Sequence, residues 1–159
     1  MFQKIKHLFL ILALLAGVYA CVKKKTFSQK PEIEYKSFTP FTGDSADMVI
    51  GFSDGDGDIG AKTGDTTKNL YMNYYYKDTI TQKFVAYYDA FGNDSLKTGY
   101  TIRKPSDSYD GKSISGEVAV RISKYRHSKK IKSVKYVIYM FDNKGNMSNV
   151  LTTPELIVP

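Results

Sequence analysis

Past residue 31 the apolar residues of this chain fall in short stretches with a period of two. Each stretch is closed by Gly, Pro, Asn or Asp, and none repeats at the i, i+3, i+4 spacing that an amphipathic helix needs. Side chains of a strand alternate between the two faces of a sheet, so this pattern commits the chain to half-buried strands. Eight runs emerge, over residues 32–38, 47–52, 69–77, 82–88, 98–103, 115–122, 133–141 and 148–158. Met48, Ile50 and Phe52 share one face, as do Leu70, Met72, Tyr74 and Tyr76, and as do Val118, Val120 and Ile122. Residues 133–141 are apolar on both faces, which assigns them to the middle of a sheet. Pro154 interrupts the last run, and a strand proline belongs at an edge or a bulge. The composition agrees: 13 Tyr and 9 Phe favour strands over helices. Many short strands separated by turns predict an all-β chain, a single β-sandwich of about seven or eight strands over residues 32–159.

The first 20 residues are of another kind. A short basic head (Lys4, Lys6, His7) precedes an apolar stretch from Leu8 to Val18, and Val18-Tyr19-Ala20 leads to Cys21, the one cysteine in the chain. That order is the layout of a secretory signal, and the stretch is shorter than the ~20 apolar residues that span a bilayer. The segment resembles the lipobox of bacterial lipoproteins, in which the cysteine becomes the acylated first residue of the mature chain. The resemblance implies residues 1–20 as a signal peptide, lipidation at Cys21 and a flexible tether over 21–31. No aspartate follows Cys21, so the expected address is the outer membrane of a Gram-negative cell, with the face left open. The leader holds two of the 23 basic residues and none of the 16 acidic ones, so the remainder stays mildly basic. Its cations are scattered and form no helical stripe, which argues against nucleic acid as a partner.

Near the C-terminus, Asp142-Asn143-Lys144-Gly145-Asn146 follows the apolar run 136–141 and precedes Ser148. This D-x-x-G-N-x-S turn resembles the last hairpin of immunoglobulin-like domains. With no paired Cys and no Trp, the kinship it implies is to bacterial immunoglobulin-like or fibronectin-like sandwiches.

The sharpest local chemistry is Ser53-Asp54-Gly55-Asp56-Gly57-Asp58-Ile59-Gly60. Alternating Asp and Gly lets a tight loop aim several carboxylates at one point, and Ca²⁺ takes six to eight oxygen ligands. Asp54, Asp56 and Asp58 match positions one, three and five of an EF-hand. Ile59 stands where that loop needs Gly, and Asp65 stands where it needs Glu, so an EF-hand is rejected. Asp-rich calcium loops of secreted β-domains remain an analogy. If the second and third runs are strands B and C, this loop shares one end of the sandwich with the 142–146 turn. Asp54, Asp56, Asp58, Asp65, Asp142 and Asn143, with Asn146 beside them, are then candidate Ca²⁺ ligands. The competing reading is a solvent-facing turn, for which Asp and Gly are ordinary residues. A lipobox followed by a strand ending in F-x-D-G-D-G-D-I-G also resembles a group of uncharacterised bacterial lipoproteins, which implies anchoring and no particular activity.

Tyr71, Tyr74, Tyr75, Tyr76, Tyr87 and Tyr88 crowd one expected hairpin. Outward rings such as Tyr71, Tyr75 and Tyr87 suit a sugar or protein partner, and cross-strand pairing explains them equally. The basic stretch Lys124 to Lys130 reads as a solvated loop or as a site for an acidic polymer. Catalysis has no constellation to stand on: His127 is the one histidine beyond the leader, there is no G-x-S-x-G elbow, and zinc ligands are lacking. The expectation is a non-catalytic binding or structural module, lipid-anchored outside the cytoplasm and stabilised by calcium. The alternative is a glycan-binding accessory lipoprotein of a surface uptake system that uses the tyrosine-rich sheet.

Overall fold

The computed structural model describes residues 27–88 and 95–159. The leader and Cys21 lie outside the described residues. Among the described residues nine strands are present: β1 (Glu32–Pro40), β2 (Ala46–Asp54), β3 (Leu70–Lys77), β4 (Phe84–Ala86), β5 (Lys97–Tyr100), β6 (Ile114–Ile122), β7 (Ser133–Met140), β8 (Leu151–Thr152) and β9 (Leu156–Ile157). Among the described residues the one helical element is a 3-10 turn, Asp107–Tyr109.

The strands form two antiparallel sheets. In the first the order is β1-β2-β6, and Ile50 faces both Tyr35 and Val118. In the second, β3 and β7 are the central pair, with Met72 opposite Ile138. Both β4 and β5 pair with β3, at opposite ends of it. Likewise β8 and β9 both pair with β7, and Pro154 stands between them. In immunoglobulin lettering β1, β2 and β6 occupy A, B and E, and β3, β7 and β8 occupy C, F and G. The all-β sandwich expected from the sequence is the fold.

One core cluster fills the space between the sheets. Met48, Ile50, Val120 and Ile122 enter it from the first sheet, and Leu70, Met72, Val134, Tyr136, Ile138 and Met140 from the second. On β2, β3 and β6 these are the even-numbered members of the period-two runs, whose alternation selects the inward face, while on β7, apolar on both faces, pairing with β3 selects it. Residues 133–141 are indeed central, with strands hydrogen-bonded on both sides.

Three expectations are revised. The last run is two strands of two residues each, because Pro154 lacks the N–H a continuous strand would need. In the run 82–88, Tyr87 rather than Tyr88 turns inward, packing edge-on against Tyr74 and Tyr76, while Tyr88 is 60% exposed. Most important, β2 continues to Asp54, so the acidic segment starts inside the sheet, with Asp54 paired to Ile114.

Ile138 is fully buried on a central strand. Ile138→Ala is expected to lower the free energy of unfolding by about 3 kcal/mol, measured by urea titration, with no change of sheet content by circular dichroism.

Candidate metal centre at the end of the sandwich

β2 delivers Asp54 to the end of the sandwich as a fully buried residue. The chain then turns so tightly that Asp58 N donates to Asp54 Oδ2 at 3.0 Å. One ligand oxygen from each of Asp54, Asp56 and Asp58 lies within 4.8 Å of the others. Two unit charges at that separation repel by about 3 kcal/mol at an effective dielectric near 20.

The loop is not a solvent-facing turn. Gly57 has φ +68° and lies against the carbonyls of Tyr109 and Lys112, where any side chain would collide. A methyl group on Gly55 would meet Phe27 O at 2.5 Å, and one on Gly60 would meet Lys104 N at 2.7 Å. Ser113 Oγ donates to Gly55 O at 3.0 Å, and Gly111 N donates to Asp56 O at 2.6 Å. The alternating glycines therefore admit three other chain segments as closely as they permit the turn.

The second loop arrives as the immunoglobulin lettering predicts. Asn143 N donates to Asp58 O at 3.2 Å, and Asn143 Nδ2 donates to Gly60 O at 2.9 Å. Lys144 Nζ is ion-paired with Asp56 Oδ2 and stands 3.4 Å from Asp58 Oδ2. Gly145, at φ +83°, supplies the left-handed residue that closes this hairpin.

The six expected ligands do not all converge. Asp54, Asp56 and Asp58 form the cluster. Asn143 joins it as a strut through its two donors. Asp142 Oδ1 accepts from Lys144 N (2.9 Å) and Asn146 N (2.7 Å), and its Oδ2 accepts from Asn146 Nδ2, so its carboxylate organises its own turn. Asp65 stays out of the cluster: its Oδ1 accepts from Thr67 N at 2.8 Å, and its carbonyl accepts from Arg103. Lys144 was missed in the sequence. Its signal was the position between Asn143 and Gly145, in the turn already assigned to this end.

Three carboxylate oxygens are buried with neither a hydrogen-bond donor nor an ion partner among the described residues, Asp54 Oδ1, Asp56 Oδ1 and Asp58 Oδ1, and Asp58 Oδ2 has only the Lys144 ammonium at 3.4 Å. Burial, reinforced by the charges of Asp56 and Asp58, pushes the Asp54 carboxyl up to about 6. Burial, then the charges of Asp142 and Asp56, raises Asp58 as well. Asp56 moves the other way, because Lys144 donates to it. One ammonium thus pairs with Asp56 and Asp58, and Asp54 is not paired with it. The arrangement suits a small hard cation.

The tyrosines divide between two faces. Tyr71 and Tyr139 stack on the outer face of the second sheet with centroids 5.5 Å apart, and Lys97 Nζ lies 4.7 Å from the Tyr71 ring centre. Tyr71 also covers Gly99, its cross-strand partner. Tyr75 is on the same outer face by alternation. Tyr87 faces the core instead, stacked on His127 at 4.6 Å. In the basic loop, Tyr125 is buried, and Arg126 pairs with Asp44 and with the Pro159 carbonyl. That loop is at the end opposite the acidic cluster, beside the β1–β2 turn.

No family model, curated protein or solved structure matches this chain.

The pH dependence follows from Asp54. Its folded value lies above its unfolded value, so its favourable contribution is complete below about pH 4 and is lost as the pH rises through about 6. Without divalent cations, Asp54→Asn is expected to be more stable than the parent by about 2 kcal/mol at pH 8. The difference should vanish near pH 4, as read from urea titrations across that range.

Proposed function

We propose that this chain is a lipid-anchored, extracytoplasmic lipoprotein of the outer membrane whose sandwich is a non-catalytic binding or structural module locked by Ca²⁺. The observation that carries the cation is Asp54, a fully buried carboxylate with one oxygen unpartnered and no ion partner, beside two more carboxylates that share a single ammonium. Buried charge without a partner is strongly destabilising, and a divalent ion is the counter-charge that three carboxylates at one point can share. Backbone carbonyls and water would complete the coordination of Ca²⁺, which tolerates irregular shells of six to eight oxygens. Lys144 then acts as the partial counter-ion that lets the loop fold before the metal arrives.

The anchor rests on the order of basic head, apolar stretch and Cys21. Several acyl chains hold a protein stably where one holds only marginally. Phe27, whose carbonyl packs on Gly55, stands six positions after Cys21. Extended chain rises at most ~3.6 Å per residue, so the cation end of the sandwich stays within about 20 Å of the bilayer.

The alternative use of the tyrosines as a sugar platform has less support. Tyr71 and Tyr139 present their ring faces to each other and to Lys97. That is the cross-strand packing of aromatics ordinary in a sheet.

Two experiments test the reading. Millimolar Ca²⁺ is expected to raise the thermal midpoint at pH 7.5 by about 5 °C or more, as mass action on a native-state site requires. Asp54→Asn and Asp58→Asn should abolish the rise, and an unchanged midpoint in the parent chain would remove the metal from the account. Separately, Cys21→Ser should end labelling by radioactive palmitate and release the chain from the membrane fraction. Undiminished labelling of that variant would remove the anchor.

A further inference from the structure

The two sheets have four outer edges, and three are closed to further strands. β1 carries a register break between Tyr35 and Ser37 and ends in Pro40. Its Ile33 is capped by Asn149, whose Oδ1 accepts from Ile33 N at 2.7 Å and whose Nδ2 donates to Ile33 O at 2.9 Å. The β4/β5 edge consists of strands of three and four residues, and the β8/β9 edge of two strands of two residues parted by a proline. Short strands, bulges, prolines and covering side chains are the usual devices against edge-to-edge association.

β6 has none of these, and its edge charges, Glu117 and Arg121, are of opposite sign. It is nine residues long, Ile-Ser-Gly-Glu-Val-Ala-Val-Arg-Ile, without Pro, Lys or a register break against β2. Its other side has no strand, and among the described residues no backbone hydrogen bond from a loop or turn reaches residues 115–122. Beside it a cleft of about 450 Å³ opens between the sheets, lined by Phe52, Ile102, Ile114, Gly116, Val118 and Met140 among others.

The outward face of β6 says what fits there. Reading every second residue gives Ser115, Glu117, Ala119, Arg121 and then Ser123. This set is its own antiparallel complement. Turned about Ala119, Ser115 meets Ser123, Glu117 meets Arg121, and Ala119 meets Ala119. On the inner face the same register sets Val118 against Val120 and Gly116 against Ile122. Shifting the axis to Val118 or Val120 sets Glu117 opposite Ala119 or Ser123, so the oppositely charged pair is lost. Opposite charges directly across strands stabilise a sheet and like charges destabilise it.

We propose that β6 pairs antiparallel with β6 of a second copy of this chain, about a twofold axis at Ala119, joining the two three-stranded sheets into one of six. Arg121 of each copy, already ion-paired with Asp47 of its own β2 and 63% exposed, meets Glu117 of the other. Val120 and Ile122 of the second copy extend the inner layer past Val118 and Gly116, alongside the open cleft. A twofold interface must be self-complementary, which the Ser-Glu-Ala-Arg-Ser face satisfies. The pairing needs neither the cation nor the anchor to form, although confinement to a membrane would raise its occupancy by effective concentration.

The test is oxidative cross-linking of the full chain in membranes. Opposed residues of an antiparallel pair have Cα atoms about 4.5–5.5 Å apart, within the range a disulfide spans. Ala119→Cys is expected to form a disulfide-linked dimer in non-reducing gels, several-fold above the parent chain, which reports any contribution of Cys21. Ser115→Cys alone should not cross-link, but mixed with Ser123→Cys it should, because the register sets 115 against 123. Glu117→Arg should weaken dimerisation about tenfold in sedimentation of detergent-solubilised chain, since two pairs change from attraction to repulsion. Ala119→Cys at the parental level, or a Ser115→Cys homodimer as abundant as that of Ala119→Cys, would overturn the proposal. So would a parent chain that sediments as a monomer at every concentration.

Discussion

The strand that carries Asp54 does not stop at the rim of the sheet. Ala46 to Asp54 is a single strand paired on both sides, and its last side chain is a carboxylate with no access to solvent. That burial is the constraint on which the end of the molecule is organised. Gly55, Gly57 and Gly60 are needed because residues 27–28, 109–112 and 104 close over the turn. Asn143 is needed to tie the last hairpin to the loop, and Lys144 to offset part of the charge. One carboxylate oxygen closes the turn by accepting from Asp58 N, and the other is buried without a donor, which is the electrostatic cost of an acid at this position.

Much of the fold was legible because its signal is local. Period-two alternation marks an inward face whether or not the partner strand is known, so Met48, Ile50, Met72 and Val120 could be assigned to the core from their own neighbours. The centrality of residues 133–141 followed from apolar residues on both faces. What escaped was long-range. Whether Tyr87 or Tyr88 turns inward depends on the phase of a three-residue strand against β3, which a weak run of its own does not determine. The reach of β2 to Asp54 depends on β6 being available to pair with it.

The candidate site was legible in part for the same reason. Asp54, Asp56 and Asp58 converge by spacing alone. Asn143 came within reach only through the immunoglobulin-like order of strands, which brings the second and last hairpin loops to one end. Asp65 and Asp142 illustrate the limit of counting acids. Each carboxylate is occupied by local donors, Thr67 N in one case and the 144–146 turn in the other. Proximity in sequence does not reveal that a carboxylate is already satisfied.

The cation loop and the edge of β6 lie on one strand pair, since Asp54 is opposite Ile114, where β6 begins. Residues 27–28, which pack on Gly55, enter at the same end. The most direct test of the central claim is calorimetric titration of the purified chain with Ca²⁺ at pH 7.5 and at pH 5. A single saturable site at pH 7.5, weakened severalfold at pH 5 where Asp54 holds its proton, is the predicted result. Absence of any binding heat up to millimolar Ca²⁺ at both values, with Asp54→Asn indistinguishable from the parent, would contradict it.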